Sequence, residues 1–367
     1  TEESVDEGVK IETAVLPEEF NIPRSILFKT THTKVEIWLD ENQIYQYGNE
    51  ENAPEFLKST GTYWHVVDIP GNCGGKTLEI RIIPVYSGYY GNSVDVVFGS
   101  KGDCILKRLG DCLGTLIISC GILFAGIVSL ILYFAAVRSK KNGNGEIFLN
   151  LGIFSLLIAL WSMRQCGFLQ FLISDGRTLY FVDFFTCFLF PVPFNFLLYD
   201  ICKSKYRKGA LYLPVLYLLN MAVAVFLQCT GVIDIFQLLP AVHVLMLINV
   251  VYTFVLIHYE AKNEKNESAR YFKYPMYIIM CFGMMEMLLY YVRKFQNTSV
   301  FLSLGTMIFI IMLIWIQVSR YYDLYIQQQK ILYLQKMANM DMLTEAMNRN
   351  AYEDMVKYLD EQEIELR

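Results

Sequence analysis

Five ionisable side chains stand where the chain is otherwise apolar: Arg164, Asp183, His243, Glu286 and Arg293. Each costs a few kcal/mol inside lipid, so such groups turn toward a partner or a cavity. Two readings follow. One is a polar pocket for a small ligand or a proton. The other is a structural network of paired charges with snorkelling arginines. A second set is aromatic: Trp38, Trp64, Tyr86, Tyr89 and Tyr90. These either line a face for a carbohydrate or other small molecule, or fill a β core and its hairpins. His32 and His65 are metal ligands on one reading and ordinary strand histidines on the other. The nine cysteines follow no metal spacing, and their odd number forces no disulfide framework. No metal site and no catalytic residue is expected.

The elements that must hold these groups are long apolar segments between about Leu113 and Ser319. The chain has 367 residues, 54% hydrophobic and 18% charged, which is the composition of a membrane protein diluted by soluble flanks. The stretch Leu113 to Val137 has no charged residue in 25 positions. About 20 apolar residues in a helix cross a hydrocarbon core of about 30 Å. Seven spans are expected, at 113–137, 147–163, 178–200, 210–228, 235–259, 274–293 and 298–319, with Pro191 and Pro193 kinking or breaking the third. Loops 138–146, 201–209 and 260–273 carry 11 Lys and Arg between them. The opposite side has four: Arg164, Arg177, Arg293 and Lys294. By the positive-inside rule the N-terminal segment lies outside and the tail in the cytoplasm. The chain opens with neither an initiator Met nor a signal-like segment, although an exported domain needs a signal, so a piece of a longer protein is expected. The net charge of −5 says little, since the parts face different compartments. The bilayer is the expected surrounding, and no nucleic-acid partner is expected.

Residues 1–111 are read as an outer β-sandwich. The first residues are acidic and polar and are expected to be poorly ordered. Strands are expected at Ser25–Thr30, Lys34–Leu39, Gln43–Tyr47, Tyr63–Ile69, Thr77–Pro84 and Ser93–Phe98. Val35, Ile37 and Leu39 alternate with Lys34, Glu36 and Trp38, as in a half-buried strand. The runs Phe28-Lys29-Thr30-Thr31-His32, Val35 to Asp40, Ile44-Tyr45 and Gly61-Thr62-Tyr63-Trp64-His65 resemble a galactose-binding-like jelly roll. Such domains sit outside the membrane in bacterial seven-transmembrane receptors with diverse intracellular signalling modules. The resemblance implies an extracellular small molecule or carbohydrate as ligand and the bacterial plasma membrane as location.

Residues 112–320 form the expected helix bundle and 321–340 a linker helix. Leu324, Ile331 and Ala338 are seven apart, and Leu334 follows Ile331 by three, a short coiled-coil seam. Residues 341–367 open on Asp341-Met342-Leu343-Thr344-Glu345-Ala346-Met347-Asn348-Arg349-Asn350-Ala351-Tyr352. This run resembles the start of a GGDEF domain, the catalytic domain of diguanylate cyclases. Asp341, Leu343, Thr344, Asn348 and Arg349 match, while Glu345, Ala346 and Asn350 depart from the usual residues, and Lys357 stands where a carboxylate is common. The resemblance implies that Asn348 contacts the guanine of GTP. It also implies a homodimer through the linker helix, because two such domains must meet to make cyclic di-GMP. The metal-binding aspartates and the GGDEF hairpin are not in the sequence, so this chain alone is expected to have no cyclase activity, and Mg2+ and GTP belong to the missing catalytic part. The 27-residue remnant is too short to build a core and is expected to be poorly ordered.

The expected function is the input half of a transmembrane signalling protein. The alternatives are a seven-helix receptor that signals through a partner protein and a transporter with an accessory outer domain. No repeat of hydropathy supports the transporter.

Overall fold

The computed structural model describes residues 2–6, 9–19, 22–48, 56–59, 61–86, 95–138, 145–263, 266–292, 299–339 and 348–365. Thr1–Ile310 forms one compact unit and Ile311–Arg367 a second.

The first unit opens with eight strands: β1 Glu2–Asp6, β2 Val9–Val15, β3 Arg24–Thr31, β4 Thr33–Leu39, β5 Asn42–Tyr47, β6 Thr62–Ile69, β7 Thr77–Pro84 and β8 Val97–Gly99. They make a five-stranded sheet in the order β1-β2-β7-β4-β5 and a three-stranded sheet in the order β6-β3-β8, with every pairing antiparallel. The alternation along β4 buries Val35, Ile37 and Leu39, which meet Leu78, Ile80 and Ile82 of β7 and Ile26, Phe28 and Val67 of the second sheet in one core. Asp40 turns the chain between β4 and β5 with φ 52°, and its carboxylate accepts from the Thr77 N–H at 2.9 Å.

Two strands, β1 and β2, form where the acidic opening residues were expected to be poorly ordered. The reason they escaped the pattern is visible in the register. Lys10, Glu12 and Ala14 pair with Ile82, Ile80 and Leu78 of β7 and therefore share the inward face. Lys10 is buried there and pairs with Glu12 at 3.0 Å. An ion pair takes the place that an apolar residue takes in an ordinary half-buried strand. The strand expected at Ser93–Phe98 is found as the short β8, with residues 93 and 94 outside the described ones.

Helices follow: α1 Lys101–Arg138, α2 Gly145–Gln165, α3 Gly176–Leu189, α4 Pro191–Ile201, α5 Gly209–Cys229, α6 Leu239–Asn263, α7 Glu267–Val292 and α8 Val300–Asn339. Among the described residues, six helical segments are long and apolar enough to cross a membrane, with α3 and α4 counted as one. The expected seventh, 298–319, falls on the start of α8. Its described apolar stretch, Val300–Ile316, runs on without a break into the rest of α8. The third span does break as its prolines suggest. Phe190 ends α3, and Pro191 occupies the first turn of α4, where its missing N–H leaves no bond unmade.

Successive helices alternate in direction. Loops 166–175 and 230–238 and the start of α8 lie at the β-domain end, and loop 202–208 and Asn266 lie at the distal end. Helices α1 and α2 approach closely through Gly126 and Gly152; a Cβ on Gly152 would stand 2.7 Å from a Leu130 methyl. Ser162 on α2 accepts hydrogen bonds from Ser119 of α1 at 2.8 Å and Ser303 of α8 at 2.7 Å.

In the second unit, α9 Arg349–Glu365 is helical where poor order was expected. Asn348 starts it: its side-chain oxygen accepts from the Ala351 N–H at 3.0 Å, as an N-cap does. The linker residues Ile331 and Leu334 are exposed. The motif residues 341–347 lie outside the described ones.

Candidate functional site between the β domain and the helices

The outward face of the three-stranded sheet rests on the helix ends. Strand β6 is an edge, and edge strands leave backbone groups unpaired. Gln170, in the loop after α2, fills that need. Its amide accepts from the Trp64 N–H at 3.1 Å and donates to the Trp64 carbonyl at 2.7 Å. Tyr63 donates to the Ser174 carbonyl at 2.9 Å, and Arg108 of α1 donates to the Gly167 carbonyl at 2.6 Å. Gln228 donates to the Phe56 carbonyl, and the Tyr86 hydroxyl to Asp234. Two glycines permit the approach. Gly61 has φ +74° with the Tyr180 ring 2.9 Å from where a Cβ would be, and Gly167 has φ +87° with the Trp64 indole equally close.

At this junction lies a cleft of about 100 Å³. The β domain contributes Thr31, His32 and Thr62. The helices contribute Trp161 and Gln165 from α2, Asp183 and Phe184 from α3, His243 from α6, Glu286 and Tyr290 from α7 and Leu302 from α8. Three of the sequence-derived candidates, Asp183, His243 and Glu286, therefore share one wall-lined space. Asp183 accepts from the Gln165 amide at 2.7 Å. His243 Nδ1 is 2.7 Å from the Tyr291 hydroxyl. Glu286 takes the backbone N–H groups of Ser299 (2.6 Å), Phe301 (2.7 Å) and Leu302 (3.0 Å). It thus caps α8 from a neighbouring helix, where the dipole favours an anion.

Arg164 is buried behind the cleft and does not line it. It donates to the carbonyls of Leu179 at 3.0 Å and Thr62 at 2.7 Å, tying α2 to α3 and β6. Arg293 lies outside the described residues, as do Tyr89 and Tyr90. The remaining aromatic candidates do not share a face. Trp38 stands on the outer side of the five-stranded sheet, against Glu36 and 5.1 Å from the Arg81 guanidinium. Trp64 is on the other sheet, under Gly167 with the Lys29 ammonium 5.9 Å away. Tyr86 is at the junction, its ring 5.4 Å from that of His32.

The two β-domain histidines are held apart by the fold. His65 points into the sandwich, between the Thr30 hydroxyl at 2.8 Å and the Tyr45 hydroxyl at 2.9 Å, and stacks on Phe28. His32 sits in the β3–β4 turn with φ 52°, its Nδ1 2.8 Å from the Ser59 hydroxyl and its ring centroid 3.9 Å from Phe236. Burial pushes both down to about 3, and for His32 the charge of Arg164 adds to the effect. Burial, then Arg164, also brings the Lys29 ammonium down to about 8. Among the described residues no cluster of three His, Cys, Asp or Glu could hold a metal.

The sequence signalled the carboxylates because they interrupt apolar runs. It gave no sign of Gln165, Thr31 or Phe236, whose types are ordinary in their segments and which meet only through the fold.

No protein-family model matches the chain, and the curated proteins and the solved structures hold no match to it either.

Proposed function

We propose that the chain is the sensing half of a membrane signalling protein, with the junction cleft as its ligand site. The observation that carries this reading is that one cavity is walled both by β-domain turns and by α2, α3, α6, α7 and α8. A ligand there contacts both parts of the unit at once, and a site at such an interface is where ligands commonly bind. Glu286 lines the cleft and holds the first N–H groups of α8, so a ligand that shifts α7 changes the seat of the helix that runs on to Asn339. Binding energy differing between two seats of α8 is what a signal requires.

The finer parts of the reading rest on sequence. Seven crossings would put the β domain outside a bacterial plasma membrane and the tail in the cytoplasm, in keeping with Lys203, Lys205, Arg207 and Lys208 at the end away from the β domain. The β domain would be a galactose-binding-like jelly roll. The tail would lead into a GGDEF domain that joins two GTP into cyclic di-GMP, in a homodimer paired along the α8 seam. Mg2+ and GTP would be held by residues following Arg367, with Asn348 as the guanine contact. A non-enzymatic receptor shares the cleft but not the cyclase.

The test is made in cells with the gene's full coding sequence. Cyclic di-GMP is measured for the wild type, Glu286→Gln and Asp183→Asn, with reporters fused after Gly48 and Gln328. Expected are opposite compartments for the two reporters and an altered output in both variants. Unchanged output in both variants, with protein levels maintained, overturns the cleft as sensor. A stop codon directly after Arg367 overturns the cyclase.

A further inference from the structure

Below the junction cleft lies a second chamber of about 90 Å³, lined by Phe194, Tyr217, Met246, Met280, Met284 and Met287 among others. The two chambers share Phe190, Met246, Gly283, Met287 and Leu302, so they are stacked along the bundle axis and separated by little more than those side chains. The upper one is polar at its rim and the lower one almost wholly apolar. The lower chamber in turn shares Val250, Met280 and Met284 with a groove on the outside of α6 and α7. That groove is walled by Phe254, Val255 and Leu288, which are all exposed on the apolar surface of the helices. Methionine is the unbranched, adaptable side chain of apolar interiors, and two of the five residues in the partition are methionines.

From this series of spaces we propose that the ligand is a cationic amphiphile drawn from the bilayer: an ammonium head bound in the junction cleft and an apolar tail that threads the Met-lined chamber and runs on into the groove between α6 and α7. The head assignment comes from the charges on the wall. Among the described residues no Lys or Arg lines the upper chamber, whereas Asp183 and Glu286 do. Glu286 is occupied by three backbone N–H groups, which leaves Asp183 as the anchor. Arg164 and Lys29 lie near enough behind Asp183 to offset part of its charge, so the head contributes selectivity and the tail most of the affinity. The rings of Phe184, Phe236, Trp161 and Tyr290 add faces on which a cation is stabilised. This inference rests on the cleft being a ligand site, and it adds which ligand.

The test uses the full chain in lipid nanodiscs, titrated with dodecylamine, dodecanoate and butylamine, with binding read by thermal shift and by calorimetry. Dodecylamine is expected to bind saturably, at least tenfold more tightly than either of the others. Asp183→Asn is expected to weaken dodecylamine about tenfold. Gly283 borders both chambers, and a Cβ there meets only Leu302, at 3.7 Å. Gly283→Val is therefore expected to fold, to narrow the throat and to bring dodecylamine down to the affinity of butylamine. Equal binding of dodecylamine and dodecanoate, or no effect of Asp183→Asn in a protein that melts normally, overturns the ammonium head. Butylamine binding as tightly as dodecylamine, or an unchanged Gly283→Val, overturns the tail chamber. Output is read separately. Saturable binding without any change in cyclic di-GMP overturns the sensing role and leaves the amphiphile site. Output altered by Asp183→Asn with no amine bound leaves sensing and overturns the amphiphile.

Discussion

The two ends of the helix bundle are built with the same device and differ in what surrounds it. At the distal end Glu260 of α6 is fully buried and accepts from the N–H groups of Lys203 and Ser204 and from the Asn266 amide, at 2.6 to 3.1 Å. Asn266 also donates to the Ile201 carbonyl. The result is a closed knot that pins two loops together. At the β-domain end Glu286 of α7 accepts from three N–H groups in the same way, but it forms part of a cavity wall. A buried carboxylate inside a bundle is thus not in itself a sign of ligand chemistry. What separates the two ends is empty space bordered by further polar groups.

Removing either glutamate breaks the comparison most strongly. Glu260→Gln is expected to cost about 3 kcal/mol, since a buried charge that accepts several N–H groups is replaced by an amide that must turn a donor toward some of them. A melt of the protein in detergent micelles measures it. Glu286→Gln is expected to lose a similar amount of stability and, unlike Glu260→Gln, to change ligand binding as well; equal effects of both on binding would erase the distinction between the ends.

The next largest effect is of pH. His32 and His65 stay neutral in the fold down to about 3, whereas the unfolded chain takes up a proton near 6.5. The stability they support is present above about 6.5 and is lost as the pH falls from there toward 3, by about 1.4 kcal/mol per unit for each histidine. Melts of the wild type and of His65→Gln between pH 7 and pH 5 are expected to converge as the pH falls. A parallel pair of curves would contradict the burial.

Gly61→Ala is expected to cost about 1–2 kcal/mol, because the left-handed backbone disfavours a Cβ and Tyr180 occupies its place. The loss should appear at the junction, as faster hydrogen exchange in β6 and in loop 166–175 and not at the distal knot. Least is expected from Lys107→Ala. It removes an exposed i,i+4 pair with Asp111, 2.9 Å apart, and should shift the melt by no more than about 0.5 kcal/mol.

How far these features could be read in advance depended on what kind of signal they leave. Strands β4 and β7 announce themselves by alternation because one face of each meets a core. Strand β2 does not, since Lys10 and Glu12 turn inward as a pair. The proline break after Phe190 is local chemistry and was legible. The count of crossings was only partly so: among the described residues six segments meet the length of a span, and the expected seventh falls on the start of α8. Among the site residues, Asp183, His243 and Glu286 stood out by rarity. Arg164 stood out equally, yet it bonds carbonyls behind the cleft. Asn348, which the resemblance to a GGDEF opening implies as a guanine contact, caps α9.

Composition and periodicity by themselves determined that a β-rich segment is followed by apolar helices of membrane length, because burial in lipid and burial in a sandwich each impose a period on the residues. They also marked which charges had to find partners. Only the tertiary structure decided what those partners are. Glu286 interrupts an apolar run and Glu260 stands at the edge of a charged loop, yet both are buried and hold backbone N–H groups; whether a carboxylate closes a knot or walls a cavity depends on how distant segments pack, which no local pattern records.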